Sequence, residues 1–173
     1  MPAATQEAFI DMRVKDVRKA LGTPNPDAYV VLLEERGGDR RLPIWIGHEQ
    51  ALGLVLRLEG AEVARPLTYD LMASAIAALG GRVRAVRIDR LSEGTFYATV
   101  VLEGPEGTAE VDARPSDALN LALTSDAPVQ ADRATVEVAA AAGPGVRATL
   151  EQWDRQDVRG SRAILEELAG PAE

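Results

Sequence analysis

The chain has 173 residues, 46% hydrophobic and 27% charged, a composition suited to a water-soluble fold that buries a core without a disulfide or metal staple. It contains no cysteine and a single histidine, His48, which excludes thiol catalysis, thiolate metal centres, disulfide frameworks and multi-histidine zinc sites. The formal net charge of -8 repels polyanions as a whole, so any contact with nucleic acid has to be local.

Residues 9–17 and 28–34 read as strands, and Arg36-Gly37-Gly38-Asp39 is a hairpin signal leading into a strand over 42–46. Apolar residues at 51, 52, 54, 55, 56 and 58 suit a largely buried helix over 48–58, ended by Glu59-Gly60. The clearest helix is predicted over 68–79, with Thr68 as cap, Leu71, Met72, Ala75, Ile76 and Leu79 at helical spacing, and Gly80-Gly81 as its stop. Strands over 83–88, 96–102 and 109–113 follow, separated by turns at 92–94 and 103–107. On the last of them Asp112 and Arg114 share one face. A short helix over 116–123 turns Ala118, Leu119, Ala122 and Leu123 inward, and 127–129 add a final strand. Trp45 and Phe96 are assigned to the core. The expected fold is α+β, a single compact domain with a mixed, mostly antiparallel sheet and about three helices. Residues 8–132 form this domain, and 133–173 are an extension containing Ala, Gly and Pro with short helices.

Residues 1–14 lack a basic segment followed by an apolar one, and the longest uncharged stretch, 71–81, is shorter than the roughly 20 residues a bilayer requires. The expectation is a cytoplasmic protein with no membrane partner.

Two segments use one device: Ala64-Arg65-Pro66-Leu67-Thr68-Tyr69-Asp70 and Ala113-Arg114-Pro115-Ser116-Asp117. Proline holds the arginine before it extended, a hydroxyl residue stands at the helix start, and free N–H groups of the first turn attract anions. Arg65, Arg114, Thr68 and Ser116 are therefore phosphate-binding candidates. The same residues also suffice merely to start helices, since a Ser or Thr cap contributes about 1 kcal/mol and a first-turn aspartate roughly 0.3–1 kcal/mol. Asp112 and Asp117 flank one strand-to-helix turn, where carboxylates can gather around magnesium or manganese, with Asp70 and Glu49 as further catalytic candidates at helix starts. Glu49 can equally serve as a dipole complement. The basic run from Arg82 to Arg90 suits a solvated strand face better than a nucleic-acid surface.

The order of these motifs resembles the bifunctional nuclease domain family. The resemblance rests on 42–47 (LPIWIG), Glu49, 58–60 (LEG), 65–71 (RPLTYDL), 94–98 (GTFYA) and 111–119 (VDARPSDAL), and covers about 8–132. It implies a compact α+β domain of bacteria and plants, with nuclease activity against DNA and RNA attributed to some members. The motif positions carried over are Glu49, Arg65, Thr68, Asp70, Asp112, Arg114, Ser116 and Asp117. One departure stands out: the family has Thr-His-Asp where this chain has Thr68-Tyr69-Asp70, so a mechanism using that histidine as base does not carry over. A tyrosine can still position a phosphate by hydrogen bond.

Two functions follow. In the first, a nuclease hydrolyses phosphodiesters of DNA or RNA, with Asp112 and Asp117 holding a divalent cation, magnesium or manganese, and Arg65 and Arg114 holding the phosphate. In the second, a non-catalytic module binds a protein or an anionic ligand, and the Arg-Pro motifs are caps or a docking surface. A homo-oligomer that joins basic edges into one groove is compatible with either.

Overall fold

The computed structural model describes residues 8–141, 144–155 and 160–169. Its strands are β1 (Phe9–Lys19), β2 (Tyr29–Glu35), β3 (Arg41–Ile46), β4 (Arg82–Ser92), β5 (Thr95–Gly104), β6 (Gly107–Ala113) and β7 (Val129–Asp132). Its helices are α1 (His48–Leu58), α2 (Thr68–Ala78), α3 (Pro115–Ser125), α4 (Arg133–Ala141), α5 (Pro144–Asp154) and α6 (Gly160–Ala169). The strands form one sheet in the order β3-β2-β1-β7-β4-β5-β6.

This corrects the expectation of a mostly antiparallel sheet with about three helices. The sheet is mixed: β7 lies between β1, to which it is antiparallel, and β4, to which it is parallel with Val86 opposite Val129. A strand of four residues gives the sequence no means of showing which neighbours it will take. The described residues also form six helices. The last three dock through two or three side chains each, such as Val136 and Ala139, Leu150 and Trp153, and Ile164 and Leu165, which is too few for a long periodic stripe.

The run Tyr29-Val30-Val31-Leu32-Leu33 is buried throughout because β2 is covered on both faces. Val31 and Leu33 enter the principal core with Met12, Leu54, Val86 and Leu119, while Val30 and Leu32 meet Trp153 of α5 on the other side. Helix α4 touches both β3 and β4, strands far apart in the sheet order, so the sheet is strongly curled. Helix α2 is the exception to burial. It rests on α3 through its half-buried side and leaves Leu71, Met72 and Leu79 exposed. Among the described residues, no helix is long and apolar enough to cross a membrane.

The C-terminal helices are tied to the sheet by polar contacts as well. Asp16 is only 3% exposed and follows a bulge in β1. It accepts the backbone N–H groups of Gly160 and Ser161 at 2.8 Å each, along with Val17 N–H at 2.9 Å and Arg18 Nε at 3.2 Å. The start of α6 is thereby held against β1, and Ile164 enters the principal core behind it. A Cβ on Gly160 would lie 2.5 Å from the carbonyl oxygen of Val17, so glycine is what permits the close approach. Because hydrogen bonds to a buried charge are worth about 1.5–3 kcal/mol each, Asp16→Ala is expected to lower stability by at least about 2 kcal/mol in urea denaturation. Gly160→Ala is expected to increase hydrogen exchange across α6 before other helices respond.

Candidate functional site

The first turns of α1, α2 and α3 meet at one end of the molecule. Pro115 opens α3 and fixes Arg114 before it in an extended conformation, with φ -67° and ψ 144°. From there the guanidinium folds over the first turn: Nε donates to Asp117 Oδ2 at 2.6 Å and Nη2 to Oδ1 at 3.1 Å. Tyr69, in the first turn of α2, donates its hydroxyl to Asp117 Oδ1 at 2.7 Å. On the other side of α3, the buried amide of Asn120 donates to the carbonyls of Ser116 and of Gln50, in the first turn of α1, at 2.9 Å each. A Cβ at Gly53 would lie 2.3 Å from Asn120 Oδ1, so this joint needs glycine in α1.

The network sets the protonation of its members. Burial pushes the Asp117 carboxyl up, but the hydrogen bonds from Arg114 and Tyr69 outweigh it and hold the group below the ordinary aspartate value. Burial and the hydrogen bond to Asp117 push the Tyr69 phenol well above its usual range, so it is a neutral donor near pH 7. Arg114 is raised by its bond to the same carboxylate.

Beside this network opens a cleft of about 550 Å³. One wall is β3 with Trp45, the other the β4–β5 hairpin with Leu91 and Phe96, and Arg114 and Ser116 border it at the start of α3. The hairpin turns on Glu93 and Gly94, whose φ angles of 49° and 77° make the tight left-handed turn that brings Phe96 to the cleft. Ala139 of α4 and Val146 of α5 complete the lining.

The structure separates the sequence candidates. Arg114 and Ser116 border the cleft, and Asp117 stands behind Arg114. Glu49 is exposed in the first turn of α1, next to Gln50, which lines the cleft. Asp70 is occupied elsewhere: it pairs with Arg57 and accepts the N–H of Leu67 at 2.8 Å. Leu67, not Thr68, is the N-cap of α2, and Thr68 and Arg65 are exposed near this helix start. Asp112 is exposed on the edge strand β6, opposite Thr99. Both Asp117 oxygens are engaged by Arg114 and Tyr69, and among the described residues no three His, Asp or Glu side chains are grouped to hold a metal. In the Arg82–Arg90 run, Arg82 pairs with Glu103, Arg87 with Glu110, and Arg90 lies over the Tyr97 ring at 4.0 Å.

Two residues of this region escaped the sequence reading. Trp45 is 41% exposed, against its assignment to the core. Its signal was the alternation along β3, where Ile44 and Ile46 are buried and Trp45 faces the other way. For Tyr69 the sequence suggests a hydrogen bond to phosphate, whereas its hydroxyl bonds Asp117 and joins α2 to α3.

The model of the Bifunctional nuclease domain matches residues 30–143, most of the chain. The chain belongs to the bifunctional nuclease domain family. An uncharacterized protein of Mycobacterium tuberculosis is 45% identical over 107 residues, 62% of this chain and 63% of that protein. Bifunctional nuclease 1 of Oryza sativa subsp. japonica is 31% identical over 111 residues, and Bifunctional nuclease 1 of Arabidopsis thaliana 28%. The matched segment is 62% of this chain but 34% of each plant protein.

Two outcomes test the site's construction. Asp70→Ala removes the bond to Leu67 N–H and the Arg57 pair, and chemical denaturation is expected to show a loss of about 1 kcal/mol. Tyr69→Phe is expected to lower stability by about 1 kcal/mol at neutral pH, allowing for solvent screening of the carboxylate. A lowered Asp117 contributes above the ordinary carboxylate range and loses its contribution as pH falls through its folded value; a raised Tyr69 contributes below the ordinary phenol value and loses its contribution as pH rises through its own. The difference between wild type and Tyr69→Phe should therefore be flat from about pH 5 to 9 and shrink at both ends.

Proposed function

We propose that this chain is a nuclease that hydrolyses phosphodiester bonds of DNA and RNA, with the phosphate bound by Arg114 at the mouth of the cleft. The observation that carries the proposal is the state of that arginine. Its side chain is 67% exposed, its Nε edge is fixed by Asp117, and among the described residues it is the one charged residue bordering the cleft. A guanidinium oriented before the substrate arrives can meet phosphoryl oxygens without reorganising. Family membership and the names of the plant relatives support the same reading.

Within the proposal, Arg114 touches the phosphate, Asp117 and Tyr69 are positioning residues, and Ser116 supplies a further polar group. Arg65 extends the contact along the strand from the neighbouring helix start. Tyr69, neutral near pH 7, can donate a hydrogen bond but is no base, so the exposed carboxylate of Glu49 is the candidate for activating water. Magnesium or manganese is proposed only as an ion that arrives with the substrate. A cytoplasmic setting completes the proposal.

End-labelled single- and double-stranded DNA and RNA, incubated with the full chain in magnesium, manganese or chelator, test this reading. Cleavage is expected, with kcat/KM reduced about 10²-fold or more in Arg114→Ala. Cleavage that persists unchanged in folded Arg114→Ala overturns the phosphate assignment. Binding without cleavage under every condition favours the second function, an anionic-ligand module.

A further inference from the structure

We infer that the cleft between β3 and the β4–β5 hairpin is a stacking subsite for an unpaired nucleobase, with Trp45 and Phe96 as its platforms, so that the strand engaged there is single-stranded. This deepens the proposed function and rests on its reading of Arg114 as the phosphate contact.

The first observation is the position of Trp45. Trp45 borders the cleft and is 41% exposed; its other flank lines the hollow beside Val30 and Trp153, so part of its ring surface is left open to solvent. Phe96 lines the same cleft from the opposite wall and is itself half-buried. The second observation is size: a space of about 550 Å³ is within the range of small-ligand sites and accommodates a nucleotide rather than a duplex.

The third observation is charge. The chain as a whole carries -8, yet among the described residues Arg114 is the only charged one lining this cleft. A polyanion gains nothing from the long-range field of such a molecule, so its binding has to come from contacts, and a flat apolar slot beside one guanidinium offers two that act together. A base on the aromatic faces puts its own phosphate at the arginine. Gln50, Thr95 and Ser116, also in the lining, provide donors and acceptors for base edges. In a duplex both faces of each base are already stacked, so only an unpaired base can use such platforms.

The test compares a labelled oligothymidylate of about eight nucleotides with an oligomer of the same length and phosphate count that lacks bases, in chelator and low salt, by fluorescence anisotropy. The full chain is expected to bind the normal oligomer about 5- to 150-fold more tightly than the abasic one. Trp45→Ala should erase that ratio, Trp45→Phe should retain most of it, and a duplex of equal charge should bind more weakly. Equal affinity of wild type for the normal and abasic oligomers overturns the stacking subsite while leaving the phosphate contact intact. A base preference that survives unchanged in Trp45→Ala overturns the assignment to this cleft. No binding of either oligomer overturns this inference together with the nucleic-acid reading beneath it. The wild-type comparison needs no substitution, so it stands even if the tryptophan variants fold poorly.

Discussion

A single carboxylate sets the geometry of the functional end. Asp117 receives two bonds from Arg114 and one from Tyr69, and each fixes a different piece of chain: the strand-to-helix turn before α3 and the first turn of α2. Because the aspartate is held ionised, both donors are charge-assisted, and the arrangement is stiffer than any neutral set of the same size. Asn120 performs the corresponding task on the other side of α3 by bonding the carbonyls of Gln50 and Ser116. Three helix starts that are distant in sequence are thus brought together by two polar side chains on one helix. The position of Arg114 at the cleft mouth follows from that joint.

The cleft also depends on the segment beyond β7. Ala139 and Val146 complete its lining, and α4 touches both β3 and β4, which fits a sheet curled enough to bring β3 and the hairpin to opposite walls. Helix α5 is fixed by Trp153 against Val30 and Leu32 and by the Arg41–Asp154 pair at 2.5 Å, while α6 is fixed through Asp16. Structural anchoring at one place and an open, partly apolar cleft at another are therefore parts of the same packing arrangement. Stability withdrawn from the C-terminal helices would be felt at the cleft walls.

Much of the fold was legible because it obeys local rules. The hairpin at Glu93-Gly94, the proline at the start of α3 and the apolar spacing of α1 each follow from residue chemistry within a few positions. What escaped was set by tertiary contacts. A helical stripe predicts an apolar face but not whether anything covers it, and α2 shows Leu71, Met72 and Leu79 uncovered. An isolated tryptophan between isoleucines predicts a strand but not that its own face lies at a cleft. The paired motifs around Arg65 and Arg114 look alike in sequence, yet Asp117 returns to its own arginine whereas Asp70 takes Arg57 from α1. Part of the difference is spacing, since Arg114 and Asp117 are three residues apart and Arg65 and Asp70 five; that Asp70 then takes Arg57 is set by packing.

That divergence also divides the work between the two motifs. With Asp70 joined to Arg57 and to Leu67 N–H, the α2 start is built as a structural corner, and the group it extends toward α3 is Tyr69. A phenol here stays protonated across the physiological range, so it keeps Asp117 saturated with donors and draws no proton from a substrate. On the proposed reading, the part left to this end of the molecule is recognition by a preset cation and an aromatic surface. Any proton transfer on that reading falls to an exposed carboxylate outside the network; Glu49, next to Gln50, and Glu93, next to Gly94, each stand one residue from the cleft lining. In the proposed function, separating the group that holds the phosphate from the group that takes the proton lets the first be rigid and the second remain solvated.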